Sequence, residues 1–277
     1  MSSTAVGRIR VDGTTPSAPL HNLLSAPDVL LSGGRWDGGV NVWGYTTDVP
    51  SLWDACSAGT YRVKDEGGMV ASEGFDSFVI YVAQLCSTFG IATDLPGFAR
   101  RADAVLEATQ SYAIEKALAQ GVPGLPDNKY LGDPDLVSLA TNVSPIVGLS
   151  YLENAIGATG RRGMIHLTPA VAAQLDIDLS NNNAGGPLMS LSGNVIVIGG
   201  GYIGTDPDDE PSPDTTHDWI FATGPVQARV SEILSGPEEV SGMVDPETNE
   251  VIYRAEKLAN VSWDGALQVG VLVDWVP

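Results

Sequence analysis

From Gly97 to Gln120 the chain reads "GFARRADAVLEATQSYAIEKALAQ", with no proline or glycine after Gly97, and Pro96 and Gly121 bound it. Asp94 suits a helix cap, Pro96 the first turn and Gly121 the stop. A helix over these residues would be about 36 Å long, longer than any single face of a small domain. It therefore dictates that much of the chain packs along it. Ala102, Val105, Leu106, Thr109, Ala113 and Ala117 share one face at helical spacing, and Arg100, Arg101, Asp103, Glu107 and Glu115 lie elsewhere. The small residues on that stripe allow a sheet or a second helix to approach closely. With 277 residues, 43% hydrophobic, the chain supports one large domain or two modest ones. Its 32 glycines and 18 prolines are high for a helical bundle and point to a strand- and loop-rich α+β protein.

The segments around the helix differ in texture. Met1 to Pro50 has turn formers and isolated apolar anchors but little periodicity, the mark of an arm laid along another surface. Ser51 to Thr88 holds two β-prone stretches separated by "KDEGG", which predicts a long hairpin or projecting loop. After the helix, "SPIVGLSYLENAIGATG" predicts a second one with Ser144 as cap and Pro145 in first position. "RRGMIHLTP" reads as a short strand, and Thr168 with Pro169 opens the helix "PAVAAQLDI". Further strands are expected in "GNVIVIGGG", in "HDWIFATGPVQARVSEI", in "EVIYRAEKLANVSWDG" and in "ALQVGVLVDWV", and no internal repeat is present.

Gly199-x-Gly201-x-x-Gly204, at the end of an apolar run, has the spacing of a dinucleotide fingerprint. Such a fingerprint needs a helix to begin at once, so that backbone N–H groups meet the pyrophosphate. Here "TDPDDEPSPDTTHDW" follows: its prolines exclude an ordinary helix and its carboxylates repel phosphate. The motif is a strand ending in a glycine turn, with no cofactor assigned. Catalytic signals are absent too, since there is no GxSxG or HExxH, and His21, His166 and His217 are widely separated. Cys56 and Cys86 read as buried free thiols with no disulfide or zinc spacing. We therefore assign no catalytic, cofactor-binding or metal-binding residue. The net charge of −20 argues against affinity for nucleic acid, and Asp206 to Glu250 holds twelve carboxylates against Arg229 alone, a solvated face. No run has the length of a signal peptide or a membrane span, so a cytosolic protein is expected.

The order of parts resembles the major capsid proteins of tailed bacteriophages, the Hong Kong 97 type, and particularly those of actinobacterial phages. "YRAEKLANVSWDGALQVGVLVDWVP" is similar to the last strands of that family, and "HDWIFATGPVQARVSEI" to its "aTGpv.vr" strand pair. "GNVIVIGGGYIGTDP" resembles its axial-domain strand and loop, and "RRGMIHLTPAVAAQL" the strand and helix before them. The likeness covers most of Gly97 to Pro277. It implies an N-terminal arm over 1–50, an extended loop over 51–83 and a peripheral domain over 84–134 with its spine helix at 97–120. An axial domain over 135–237 and C-terminal strands of the peripheral domain over 238–277 complete the set.

The implied function is a non-enzymatic shell subunit of the virion, assembled in the host bacterial cytoplasm into pentamers and hexamers. Such a shell encloses double-stranded DNA without sequence-specific binding, involves no membrane, and meets portal, scaffold and decoration proteins. An encapsulin-type compartment shell and, more remotely, a nucleotide-dependent oxidoreductase are the alternatives. On the capsid reading the basic residues Arg62, Lys64, Arg100, Arg101, Arg161 and Arg162 are candidate inter-subunit contacts. About fifty residues precede the hairpin, too few for the built-in scaffold of some relatives; Lys64 and Asn260 could be proposed for the isopeptide of other relatives, but nothing in the sequence brings them together beside a catalytic carboxylate, and no crosslink is expected.

Overall fold

In the computed structural model the long helix, α1, spans Leu95–Gln120. Gly121, at φ +76°, ends it in a left-handed turn that disfavours any residue with a Cβ. The structure describes residues 14–31, 36–43, 72–87, 95–125, 127–134, 136–175, 186–205, 217–234, 244–245 and 250–274. Asp94, Cys56, Arg62, Lys64 and the acidic run between β6 and β7 (below) lie outside them.

Three sheets are arranged around α1. In the smallest, β1 (Val40–Trp43) pairs antiparallel with β2 (Ser72–Phe75). The second runs in the order β3 (Phe78–Ser87), β10 (Glu250–Trp263), β8 (Val226–Val230), all antiparallel, with the short β9 (Val244–Asp245) also on β10. The third is mixed: β4 (Val137–Val143), β11 (Gln268–Asp274), β7 (His217–Thr223), β5 (Met164–Leu167) and β6 (Val195–Ile198), with β4·β11 and β5·β6 parallel. Of the segment 51–88 expected to form a long hairpin, only 72–87 are among the described residues. There β2 leaves its sheet through Asp76 and Ser77 and β3 joins another, with β10 as its ten-residue partner.

α2 (Pro145–Ala158) begins after Ser144, as expected, with Pro145 in its first turn. α3 (Pro169–Gln174) is shorter than its pattern; the Thr168 hydroxyl caps it by accepting from the Val171 N–H. α2 covers one face of the five-stranded sheet, and Gly148 is the point of closest approach. A Cβ there would lie 2.5 Å from Val273 Cγ1 and 3.1 Å from Ile220 Cδ1. On the other face Met164, Val197, Trp219 and Phe221 join the core that α1 shares with the four-stranded sheet. Strand alternation divides the side chains: Ile220 and Ala222 of β7 join an aliphatic core with Leu152, Ile156 and Val171, whereas Trp219 and Phe221 face the core of α1. A sheet buried on both faces has continuous apolar strands, which explains why its alternation is faint in the sequence.

Two expectations are corrected here. "HDWIFATGPVQARVSEI" is two strands in two different sheets, because Gly224 and Pro225 break the ladder between β7 and β8. The last two strands likewise part, β10 to the four-stranded sheet and β11 to the five-stranded one. Sheet membership therefore cuts across a boundary at 237/238, since β8 pairs with β10 and β7 with β11.

Candidate functional site

The helix stripe read from the sequence is buried at Ala102, Leu106 and Ala117. Thr109, however, is exposed and bonds Val105 O in the preceding turn, while Glu115, expected outside the stripe, is 1% exposed. The reason is that α1 is enclosed on a second side by the N-terminal segment and the glycine turn. Glu115 sits between them. Its Oε1 accepts the Leu23 N–H at 3.0 Å and the Ser111 hydroxyl at 2.9 Å, and its Oε2 accepts the Gly201 N–H at 3.2 Å. One carboxylate thus joins three segments separated by about ninety residues each way along the chain.

The glycine turn is built for this neighbour. β6 ends at Ile198, and Gly200–Tyr202 form a single 3-10 turn. A Cβ on Gly199 would overlap the Glu115 carboxylate; one on Gly201 would stand 2.5 Å from Lys116 N and 2.6 Å from Tyr112 O. The glycines are therefore the price of helix contact, and the anion their backbone receives is a side chain of the same protein. The Gly201 N–H is thus already taken by Glu115, which does not favour the dinucleotide alternative.

Next to it, Tyr202 and His166 are both fully buried. His166 Nδ1 lies 3.0 Å from Tyr202 Oη and its Nε2 2.9 Å from Thr223 Oγ1. Because the Thr223 hydroxyl donates to Gly224 O, it is free to accept from Nε2–H, which leaves Nδ1 to accept from the tyrosine. That is a neutral imidazole, consistent with a pKa lowered by burial to about 3. Burial, opposed by its three hydrogen bonds, raises the Glu115 pKa, and burial followed by the nearby Glu115 charge raises that of Tyr202. Every one of these groups is engaged by another, so the cluster is a structural lock that holds no exposed nucleophile or base.

The lock fixes the segment Pro19–Ser25 of the expected arm. His21 O accepts the Ile198 N–H, covering the edge of β6, and Asn22 caps a short 3-10 turn in which Leu23 is fully buried. Farther on, Leu31 N–H donates to Ala228 O and Ala228 N–H to Val29 O, so the same segment also covers the edge of β8.

Four of the six predicted contact residues lie among the described residues. Arg62 and Lys64 fall outside the described residues. Arg100 and Arg101 lie on the first turns of α1, and Arg161 and Arg162 follow α2, where Arg161 Nη1 is 3.9 Å from Asp264 Oδ2. Asn260 is fully buried and its amide donates to Phe75 O at 2.8 Å, so the suggested isopeptide acceptor is already engaged. His217 pairs loosely with Asp274 at 3.9 Å. Among the described residues no group of three metal-ligating side chains occurs, and no helix is long and apolar enough to cross a membrane.

No protein-family model and no curated protein matches the sequence. Solved structures do. One from Gordonia phage Cozz is 15% identical and aligns over 100% of this chain and 92% of its own, with a TM-score of 0.53. One from Mycobacterium phage Ogopogo is 13% identical over 97% and 96% of the two chains, with a TM-score of 0.55. The capsid of an empty GTA particle computed with C5 symmetry is 11% identical over 100% and 94%, with a TM-score of 0.52. The expected mixed α+β fold, shared with these structures, is thus shown.

Proposed function

We propose that this chain is the repeating subunit of an icosahedral phage head, closing as pentamers and hexamers around double-stranded DNA. The observation that carries the reading is the end-to-end likeness to phage and GTA capsid structures, with nearly the whole of each chain aligned. The internal lock supports it: the buried polar groups serve to hold segments together, which is the work of a subunit whose function lies in its surfaces. The acid balance is in keeping, because a −20 subunit repels phosphate and leaves the genome held by confinement.

Within this reading the segment docked on Glu115 belongs to the N-terminal arm, α1 is the spine helix, and the five-stranded sheet with α2 and α3 forms the axial domain. β11 then belongs with the axial strands and β8 with the peripheral ones. The shell is part of the virion, assembled in the host cytoplasm, with portal, scaffold and decoration proteins as further partners. Electron microscopy of the purified protein tests the proposal. Closed icosahedral shells are expected, and a monodisperse monomer that never assembles overturns it. On a denaturing gel the assembled particles should give a single band near 28.9 kDa, since Asn260 is buried.

A further inference from the structure

Where β7 passes to β8 and β10 to β11, the two sheets meet around a cavity of about 290 Å³. Thr159, Gly224, Pro225, Ala266 and Leu267 line it, with Arg161, Arg162 and Asp264. Arg161 is turned toward Asp264. Arg162 is exposed and has no ion pair among the described residues. Lys129, Arg254 and Lys257 are paired with Glu73, Glu256 and Glu107, whereas Arg100 and Lys116, exposed on α1, line no such hollow.

Two chains that each carry 34 acidic and 14 basic residues repel one another over most of their surfaces. They can meet closely only where positive charge is presented locally. The cavity offers that charge beside an apolar hollow. Its volume is at the small end for a ligand site, roughly 300–1,000 Å³, and suits an inserted anchor side chain. We infer that this cavity receives a second copy of the chain: an apolar side chain enters between Pro225 and Leu267, and a carboxylate next to it on that copy pairs with Arg162. The inference rests on the shell reading and names one of its contacts.

The test compares the wild-type protein with Arg161→Glu/Arg162→Glu in assembly followed by light scattering, and labels wild-type arginines with a dicarbonyl reagent before and after assembly. Charge reversal puts carboxylate against carboxylate, so the concentration at which shells appear should rise at least about tenfold. Arg162 should be modified readily in dissociated subunits and at least about tenfold more slowly in particles, as expected on burial at an interface. An unchanged assembly threshold, or equal labelling of Arg162 in both states, overturns the inference while leaving the shell reading intact. If the double variant fails to fold, the wild-type labelling decides alone. If the wild-type protein forms no shells at all, the shell reading falls and this contact with it.

Discussion

The two faces of the five-stranded sheet are both buried, but by different chemistry. Against α2 the core is purely aliphatic, built of Leu, Ile, Val and Ala. Against α1 it contains Trp219, Phe221, Tyr202 and Met164, and buried polar groups, His166, Thr223 and Glu115, lie beside them. The aliphatic face is organised by shape, with Gly148 allowing the helix to sit close. The other is organised by hydrogen bonds whose partners come from far along the chain, and these specify which segment docks where. The first kind of packing tolerates conservative exchange; the second does not.

The widest difference should come from removing bulk on the α1 side. Trp263, 1% exposed with its ring 4.9 Å from that of Phe75, should on replacement by Ala lower stability by about 3–5 kcal/mol in urea unfolding. By contrast, Ile156→Val in the aliphatic core should lose only about 0.5–1.5 kcal/mol. A loss at Trp263 well below that range would show that it is not packed as described.

Glu115→Ala sharpens the comparison. It strips the Leu23 and Gly201 N–H groups of their acceptor, and each buried donor left unpaired costs about 1–3 kcal/mol. Amide hydrogen exchange at Leu23 and Gly201 should speed up, while α2 keeps its protection. A variant as protected as the wild type would remove Glu115 from its linking role.

Asp218, buried at the start of β7, has a pKa raised by burial to about 6 from 3.8, against opposing bonds from Thr168 and Trp219 N–H. A raised acid favours the protonated fold, so this residue lowers stability progressively as pH climbs from about 4 to about 6, and the loss is constant above. Asp218→Asn should therefore be more stable than wild type at pH 7, by up to about 3 kcal/mol, and lose that advantage below about pH 4. His166 acts in the opposite sense: its folded pKa is depressed, so its contribution is lost as pH falls from 6.5 toward 3. Unfolding midpoints at pH 4 and 7 check both signs. A smaller effect is expected at the α3 cap, where Thr168→Ala should cost about 1 kcal/mol. Smallest is Tyr81→Leu, which removes the Arg254 stacking at 5.4 Å on an exposed strand face, about 0.5–1 kcal/mol.

The helices were legible because their signals are local: proline at Pro96, Pro145 and Pro169, the Thr168 hydroxyl, and the stop at Gly121. Glu115 was not. A single Glu in a helix reads as solvated, and its meaning depends on Leu23 and Gly201, which no short-range pattern brings near. The glycines at 199 and 201 carried half of that message, since they mark a close approach, but not the identity of what approaches. The break at Gly224 and Pro225 was written plainly as a turn signal, yet the apolar residues on both sides read as one strand because each side is a strand in its own sheet.

Those two residues have a mechanical consequence. β7 crosses to β8 at Gly224–Pro225 and β10 crosses to β11 at Asp264–Leu267, side by side, with Gly224 N–H bonded to Leu267 O at 3.3 Å. The two sheets are thus sewn together by a pair of antiparallel threads, and load applied to one is carried to the other along the backbone itself. On the proposed shell reading, a change of curvature would be taken up by flexing at this stitch while the ladders on each side stay whole.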